Sequence, residues 1–393
     1  MHSRVFAVLD GNRIEIGPFS PSETVTAGGI ERLDFELAAP SEESVSDALG
    51  TGRRHRLVGR AGDLEKTVEI TFYDDWPQVA VMQATYSNSG SKPLRIEAWT
   101  QNRYAIAAAA GAPEPAFWSY QSGSYEKRPD WVLPLPVGFR QDNFQGMNAP
   151  DYGGGTPVAD VWRRDVGIAV GHLELVPKSV SLPVTRPARD RATLGVRDAS
   201  PRTLAPGERL TTLRTFVAVH RGDYFEPLVS YRKLMLRQGV RLPTAPASAF
   251  EPIWCAWGYG REFTPAQVLA TIPLAKKLGF GWVTLDDGWQ VAEGDWTPVA
   301  TKFPRGDADM KEFVDRVHAA GMRAQIWWTP LAADPGSRTE REHPGWLLRN
   351  RDGSTRKISW WDSFYLCPAV PGVRDDARAF ARKALGEWGF DGL

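Results

Sequence analysis

The sequence predicts a multidomain β plus α/β chain: an N-terminal β-sandwich followed by the first half of a (β/α)8 barrel. Three observations carry this expectation. Roughly residues 1–220 run in short alternating or β-branched segments separated by turn signals. After residue 250 the order becomes strand, helix, strand. One buried strand there ends in Leu285-Asp286-Asp287-Gly288-Trp289. That places two carboxylates, a glycine and an indole at the edge where parallel α/β folds bind ligands.

The β part is read from segments 4–9, 13–16, 64–72, 78–86, 94–100, 168–175 and 210–219. Asp10-Gly11, Asn88-Ser89-Gly90 and Pro206-Gly207 supply the turns between them. Many short strands with regular turns imply a sandwich for residues 1–220. Residues 221–249 hold a helical pattern, with Phe225, Leu228, Val229, Leu234 and Leu236 as apolar positions, and the linker Leu242-Pro243-Thr244-Ala245-Pro246.

Residues 250–393 hold the barrel elements. A strand is expected over 252–257. Thr264 caps a helix that has Pro265 at its first position, and Val268, Leu269, Ile272, Leu274, Ala275 and Leu278 carry it to Gly279. The second strand is 281–285. Met310, Phe313, Val314 and Val317 form the stripe of a second helix, which Gly321 ends. The third strand is 322–328, a third helix spans 373–388, and Phe390 opens a fourth strand. Residues 250–393 number 144, whereas a closed barrel takes about 250. The final Gly389-Phe390-Asp391-Gly392-Leu393 is a strand start with no loop after it, so the barrel reads as cut short. A doubly-wound sheet would want a glycine-rich phosphate turn after its first strand; Ala256-Trp257-Gly258-Tyr259-Gly260 is aromatic instead.

Composition narrows the functional classes. Lys+Arg and Asp+Glu are both 47, so no net charge steers the chain to nucleic acid or an anionic membrane. Cys255 and Cys367 both lie beside apolar residues and read as two buried thiols rather than a disulfide. Six scattered histidines show no zinc-ligand spacing. The first residues lack the charged and apolar regions of a signal peptide, and no run of about eighteen apolar residues exists. The default expectation is a cytoplasmic protein with no membrane partner.

Eleven of the sixteen tryptophans fall in residues 250–393, so aromatic surface is concentrated in the barrel part. Trp254, Trp282 and Trp388 read as core. Trp257, Trp289, Trp296, Trp328, Trp360 and Trp361 lie at strand ends or in the following loops. An indole there offers a flat apolar face for the C–H side of a sugar ring and leaves its polar edge free, and Trp257 or Trp328 is the favoured platform. Asp286 and Asp287 suit the same ligand, since each carboxylate accepts hydrogen bonds from hydroxyls. They are a poor acid/nucleophile pair. Neighbours on a strand point to opposite sides, whereas glycoside hydrolysis needs two carboxyls facing across the scissile bond. The plainer alternative for this dipeptide is a helix cap and an Asp-Gly turn.

These residues resemble α-galactosidases of glycoside hydrolase family 36, with weaker similarity to family 27 of the same clan. Asp286-Asp287-Gly288-Trp289 matches the hexose-binding motif. Gly294-Asp295-Trp296, Lys302-Phe303-Pro304-Arg305-Gly306, His318-Ala319-Ala320-Gly321-Met322, Ile326-Trp327-Trp328-Thr329-Pro330, His343-Pro344-Gly345-Trp346 and the terminal Gly389 to Leu393 follow in the family's order. The resemblance implies that Asp286 and Asp287 hold the 4- and 6-hydroxyls of galactose, with Trp257 or Trp328 lining the same pocket and Trp289 beside it. It also implies an aspartate nucleophile in a Lys-x-Asp and an acid/base aspartate, both beyond Leu393, so this stretch alone holds no catalytic residue and is expected to be inactive. Trp328-Thr329-Pro330-Leu331 departs from the Trp-Glu-Pro-Glu of many members, which leaves the substrate open.

The resulting expectation is a retaining α-galactosidase acting on terminal α-galactosides, with no metal or organic cofactor, since two carboxyls suffice for such chemistry. A homo-oligomer is compatible with it. The alternatives are a galactosyl transferase of the raffinose-synthase type and a non-catalytic carbohydrate-binding protein. Four lesser candidates remain. The glycine-rich Asp151 to Pro157 reads as a sandwich loop, or as one in which Gly153 to Gly155 reach the sugar site. His318 reads as a packed or surface histidine. Asp295 either binds substrate or fixes its own loop, and Asp362 is a weak candidate for either role.

Overall fold

The computed structural model describes residues 1–121, 132–145, 156–350, 352–358 and 361–393. The chain divides into two compact units, Met1–Leu242 and Pro243–Leu393.

The first unit is antiparallel β structure. Among the described residues one sheet holds eleven strands and another seven. The larger sheet is centred on Gly50–Ala61, Leu64–Tyr73 and Val79–Asn88, then continues through Thr215–His220, Gly167–His172 and Val158–Trp162. The smaller is built on the long strand Leu94–Ala107, flanked by Thr24–Ala27 and Arg191–Asp198. Asp10 (φ 50°) and Gly11 (φ 76°) both take the left-handed conformation between Phe6–Leu9 and Asn12–Glu15, as a two-residue hairpin requires. Tyr86, Trp99, Ile106, Phe117, Ile168 and Leu194 belong to the main core. The expected helix spans Phe225–Arg237 and seats Leu234 against Phe216, Tyr73 and Leu49. Within the alternating pattern of Leu64–Tyr73, Lys66 points inward and forms an ion pair with the fully buried Glu23.

Among its described residues the second unit holds three parallel strands in the order β1 (Ile253–Cys255), β2 (Trp282–Leu285) and β3 (Arg323–Ile326). Cys255 is in register with Thr284, and Thr284 with Gln325. Each strand is shorter than the sequence predicts. β1 gives way at Ala256 to a 3-10 turn, Ala256–Glu262. α1 (Pro265–Lys277) starts with the predicted Thr264 cap, whose hydroxyl accepts from Gln267 N while the Gln267 side chain takes the Thr264 N–H. α2 (Asp307–Ala319) buries Met310, Phe313, Val314 and Val317, the predicted stripe. α3 (Pro371–Arg382) runs into a π-helical turn, Lys383–Glu387. The core between strands and helices joins Val283, Leu285, Ala324 and Ile326 to Val268, Ile272, Phe313, Phe380 and Trp388. Beyond Phe390, Asp391 N donates to Ala324 O and Ile326 N donates to Gly392 O, so these residues enter the sheet beside β3.

One expectation is corrected here. Cys255 and Cys367 are free, as the sequence predicts, but both are partly exposed rather than buried, because each sits where a core element gives way to a loop. Among the described residues no helix is long and apolar enough to cross a membrane.

Candidate functional site

A cavity of about 850 Å³ opens at the carboxyl ends of the three strands. Cys255, Trp257 and Arg261 come from the end of β1 and the turn after it. Asp286, Asp287 and Glu293 follow β2. Trp327, Asp334 and Pro335 follow β3, and Trp361 and Asp362 complete the wall. A depression of about 560 Å³ on the seven-stranded sheet has no tryptophan in its lining and lacks this chemistry.

Asp286 and Asp287 both line the cavity, although strand alternation would separate them. β2 ends at Leu285, and the turn releases the pleat. Asp286 Oδ1 accepts from Asp287 N at 2.7 Å, and Asp286 Oδ2 accepts from the Cys255 thiol at 2.8 Å. Asp287 Oδ1 accepts from Gln290 Nε2 at 2.7 Å and pairs with Arg261 at 3.4 Å. Gly288 closes the turn at φ 102°, where a Cβ would stand 2.6 Å from Arg261 O. Only glycine fits on both counts. Lys302 Nζ donates to Gly288 O at 2.8 Å, and burial lowers its pKa. Burial and the hydrogen bond to Asp286 push the Cys255 thiol up to about 11.

The structure sorts the tryptophans differently from the sequence. Trp257 is 53% exposed and lines the cavity. Trp289 does not. It is fully buried, its N–H donates to Trp327 O at 2.9 Å, and its ring packs on Phe380 and Trp388. The turn at Gly288 rotates it into the core, so it does not line the cavity as expected. Trp328 likewise turns to the core side, its ring 4.8 Å from Phe380, and its neighbour Trp327 faces the cavity. Trp296 also packs on the core, and Trp361 lines the cavity. Trp360 and the loop from Asp151 to Gly155 lie outside the described residues.

The lesser candidates separate as well. His318 Nε2 lies 2.8 Å from Asp391 Oδ2, away from the cavity lining. Asp295 Oδ1 accepts from Arg338 N at 2.8 Å and so fixes a loop. Asp362 lines the cavity and pairs with Lys357 at 3.2 Å.

Sequence reasoning missed Glu293 and Asp334. Glu293 occupies the tip of the hairpin formed by Gln290–Ala292 and Asp295–Pro298. Asp334 directly follows Ala332–Ala333, which pairs with Phe364–Tyr365. Glu293 N donates to Asp334 Oδ2 at 2.9 Å, and Asp334 N to Glu293 O at 3.0 Å. Burial, then the neighbouring Asp334 charge, raises the Glu293 pKa. Among the described residues no group of three or more His, Cys, Asp or Glu side chains is placed to hold a metal ion.

Three parallel strands with a carboxylate-lined cavity at their carboxyl ends have the layout of a (β/α)-barrel site, and comparison with known proteins agrees on the fold. Residues 245–363 match the melibiase family model. The α-D-galactosamine galactosaminidase of Flavonifractor plautii is 27% identical over 97% of this chain and 36% of its own length. α-Galactosidase C of Emericella nidulans is 28% identical over 44% of this chain and 25% of its own length. In structure, the family 36 α-galactosidase AgaA of Geobacillus stearothermophilus matches with a TM-score of 0.59 at 17% identity, over 94% of this chain and 54% of that one. The chain is thus similar to α-galactosidases of glycoside hydrolase family 36 and shares the fold of their sandwich and leading barrel strands. It spans about a third of the Flavonifractor relative and about half of AgaA.

Proposed function

We propose that this chain carries the sugar-binding half of a retaining α-galactosidase site, and that the cavity beyond β1–β3 receives a terminal α-galactosyl unit. One observation carries the reading: Asp286 and Asp287 both face the cavity, with the indoles Trp257 and Trp327 lining it alongside them. The carboxylates accept ring hydroxyls, and the indoles cover the apolar ring face. The relatives' names support the galacto configuration, and AgaA variants have been solved with raffinose and with stachyose. A second reading, an α-galactosaminide, has the support of the Flavonifractor relative's name and leaves the same clamp in place. The nucleophile and acid/base would come from residues that follow Leu393 in a longer protein.

Calorimetric titration of the 393-residue chain with methyl α-galactoside and methyl α-glucoside tests the reading. The galactoside should bind more tightly. Asp286→Ala and Asp287→Ala should each weaken it about ten- to a hundredfold, the size of a lost charge-assisted hydrogen bond. The chain should bind aryl α-galactosides without cleaving them. Variants that bind like the wild type would reduce the two aspartates to a turn.

A further inference from the structure

We propose that Gln290 is a positioning residue of the sugar clamp: its carboxamide takes one oxygen of the Asp287 carboxylate and thereby presents the other to the sugar. This rests on the reading that Asp286 and Asp287 hold a galactosyl unit in the cavity, and it names the side chain that sets the direction of the second carboxylate.

Gln290 is 3% exposed and opens the hairpin strand Gln290–Ala292 directly after the turn. It does not line the cavity, so it reaches a sugar only through Asp287. Its Nε2 donates to Asp287 Oδ1 at 2.7 Å, and its Oε1 accepts from Gly288 N at 3.0 Å. A carboxylate only accepts and a backbone N–H only donates, so the amide is held in one orientation. Arg261 pairs with the same carboxylate oxygen at 3.4 Å. Among the described residues no side-chain or backbone donor is bonded to Asp287 Oδ2, and that oxygen is left to accept a hydroxyl.

The turn has other supports. Lys302 Nζ donates to Gly288 O at 2.8 Å and to Arg261 O, and it lies 4.3 Å from the Phe263 ring centre. Val299 N donates to Trp289 O at 2.9 Å and closes the hairpin behind it. An acceptor alone would satisfy the Gly288 N–H. The donor half of the amide has a separate use, and it is spent on the carboxylate. A planar group with a donor and an acceptor side by side is a carboxamide or a protonated carboxyl. An ionised carboxyl offers no donor and an ammonium group no acceptor, so the position can be switched without changing its shape.

The test titrates methyl α-galactoside into the 393-residue chain and its variants. In Gln290→Glu a protonated carboxyl donates to Asp287 and accepts from Gly288 as the amide does, and burial and the adjacent carboxylate both favour that proton. Affinity relative to wild type at the same pH should be within about threefold at about pH 5 and at least about tenfold lower at about pH 8. Gln290→Leu removes both bonds and should bind about tenfold more weakly at either pH. Added to Asp287→Ala, it should weaken binding by less than about threefold more, because it acts through Asp287. Thermal unfolding at each pH checks that the variants are folded. A Gln290→Glu deficit that is the same at both pH values assigns Gln290 to the scaffold and overturns the proposal, as do Gln290 variants that bind like the wild type. Additive losses in the double variant overturn it too, and that arm decides even where Gln290→Glu does not fold. Each of these results leaves the clamp intact if Asp287→Ala alone still weakens binding. An Asp287→Ala variant that binds like the wild type overturns the clamp and this proposal with it.

Discussion

Cys255 and Asp286 stand at the ends of adjacent parallel strands, and the Cys255 thiol donates to Asp286 Oδ2 at 2.8 Å. One strand thus orients a carboxylate carried by the next. The other Asp286 oxygen is turned by the Asp287 amide, so the carboxylate plane is fixed from both sides.

Burial first, and that contact second, make Cys255 a poor nucleophile. With its pKa pushed up to about 11, the thiol stays protonated through neutral pH and keeps donating. At about pH 8 roughly one molecule in a thousand carries the thiolate, the reactive form. Iodoacetamide should therefore label Cys255 far more slowly than an unperturbed thiol, as read by mass spectrometry. Asp286→Asn removes the negative charge that disfavours ionisation and should speed the labelling. Equal rates in wild type and variant would show that the two side chains are not coupled.

The tryptophans divide by burial, and substitution should divide them the same way. Trp289→Ala empties a core site and should cost about 3–5 kcal/mol of stability. Trp257→Ala removes a half-exposed ring and should change stability by no more than about 0.5 kcal/mol. Its effect should appear in galactoside affinity instead, as a loss of about 0.5–1.5 kcal/mol of stacking. Thermal unfolding and titration calorimetry on both variants check the contrast. A stable Trp289→Ala variant with weakened sugar binding would return Trp289 to the pocket.

Gly288→Ala isolates the turn itself. The new methyl would meet Arg261 O at 2.6 Å in a backbone conformation that disfavours a side chain. The turn must shift, and both aspartates shift with it. Galactoside binding should fall at least as far as in either aspartate variant, while α1, which starts after Arg261 in the chain, keeps its capping box. Hydrogen exchange of the α1 amides reports the second half of this expectation, and sugar titration the first.

What is legible in the sequence and what is not have local causes. The Thr264 cap, the α2 stripe and the carboxylates after β2 are written in contiguous residues and can be read directly. Trp327 and Trp328 are neighbours, and a one-residue difference in where β3 ends decides which faces the cavity. No periodicity supplies that residue. Trp289 follows the aspartates and so reads as a sugar contact, but positive φ at Gly288 sends it inward. Glu293 and Asp334 are 41 positions apart and meet only when two loops fold over the strands. Lys66 does leave a trace: it occupies an inward position between Leu64 and Val68 in a strand that otherwise buries apolar residues there. A lysine on that face demands a buried carboxylate somewhere, although the pattern does not say that it is Glu23.

The Glu23–Lys66 pair yields the last prediction. Glu23 is fully buried and accepts from Lys66 and from the Tyr86 hydroxyl. Burial alone would raise its pKa, but the charges of Lys66 and of the Met1 ammonium group outweigh it and hold the carboxyl below its usual 4.5. A carboxyl whose pKa is lower folded than unfolded stabilises the fold above the unfolded value and loses that contribution as pH falls. Lys66→Met strips the main counter-charge and leaves a buried carboxylate, at a cost of about 3–5 kcal/mol near neutral pH. The deficit should shrink as pH is lowered beneath 4.5, because protonating Glu23 relieves the variant and removes the wild type's advantage. Lys66→Met combined with Glu23→Gln should recover part of the loss, since the buried carboxylate is gone and the Met1 ammonium group keeps its bond to the backbone carbonyl of residue 23. Scanning calorimetry at several pH values on wild type, single and double variants measures all three effects. A deficit that is independent of pH, or a double variant weaker than the single, would assign the loss to packing of the Lys66 stem rather than to charge.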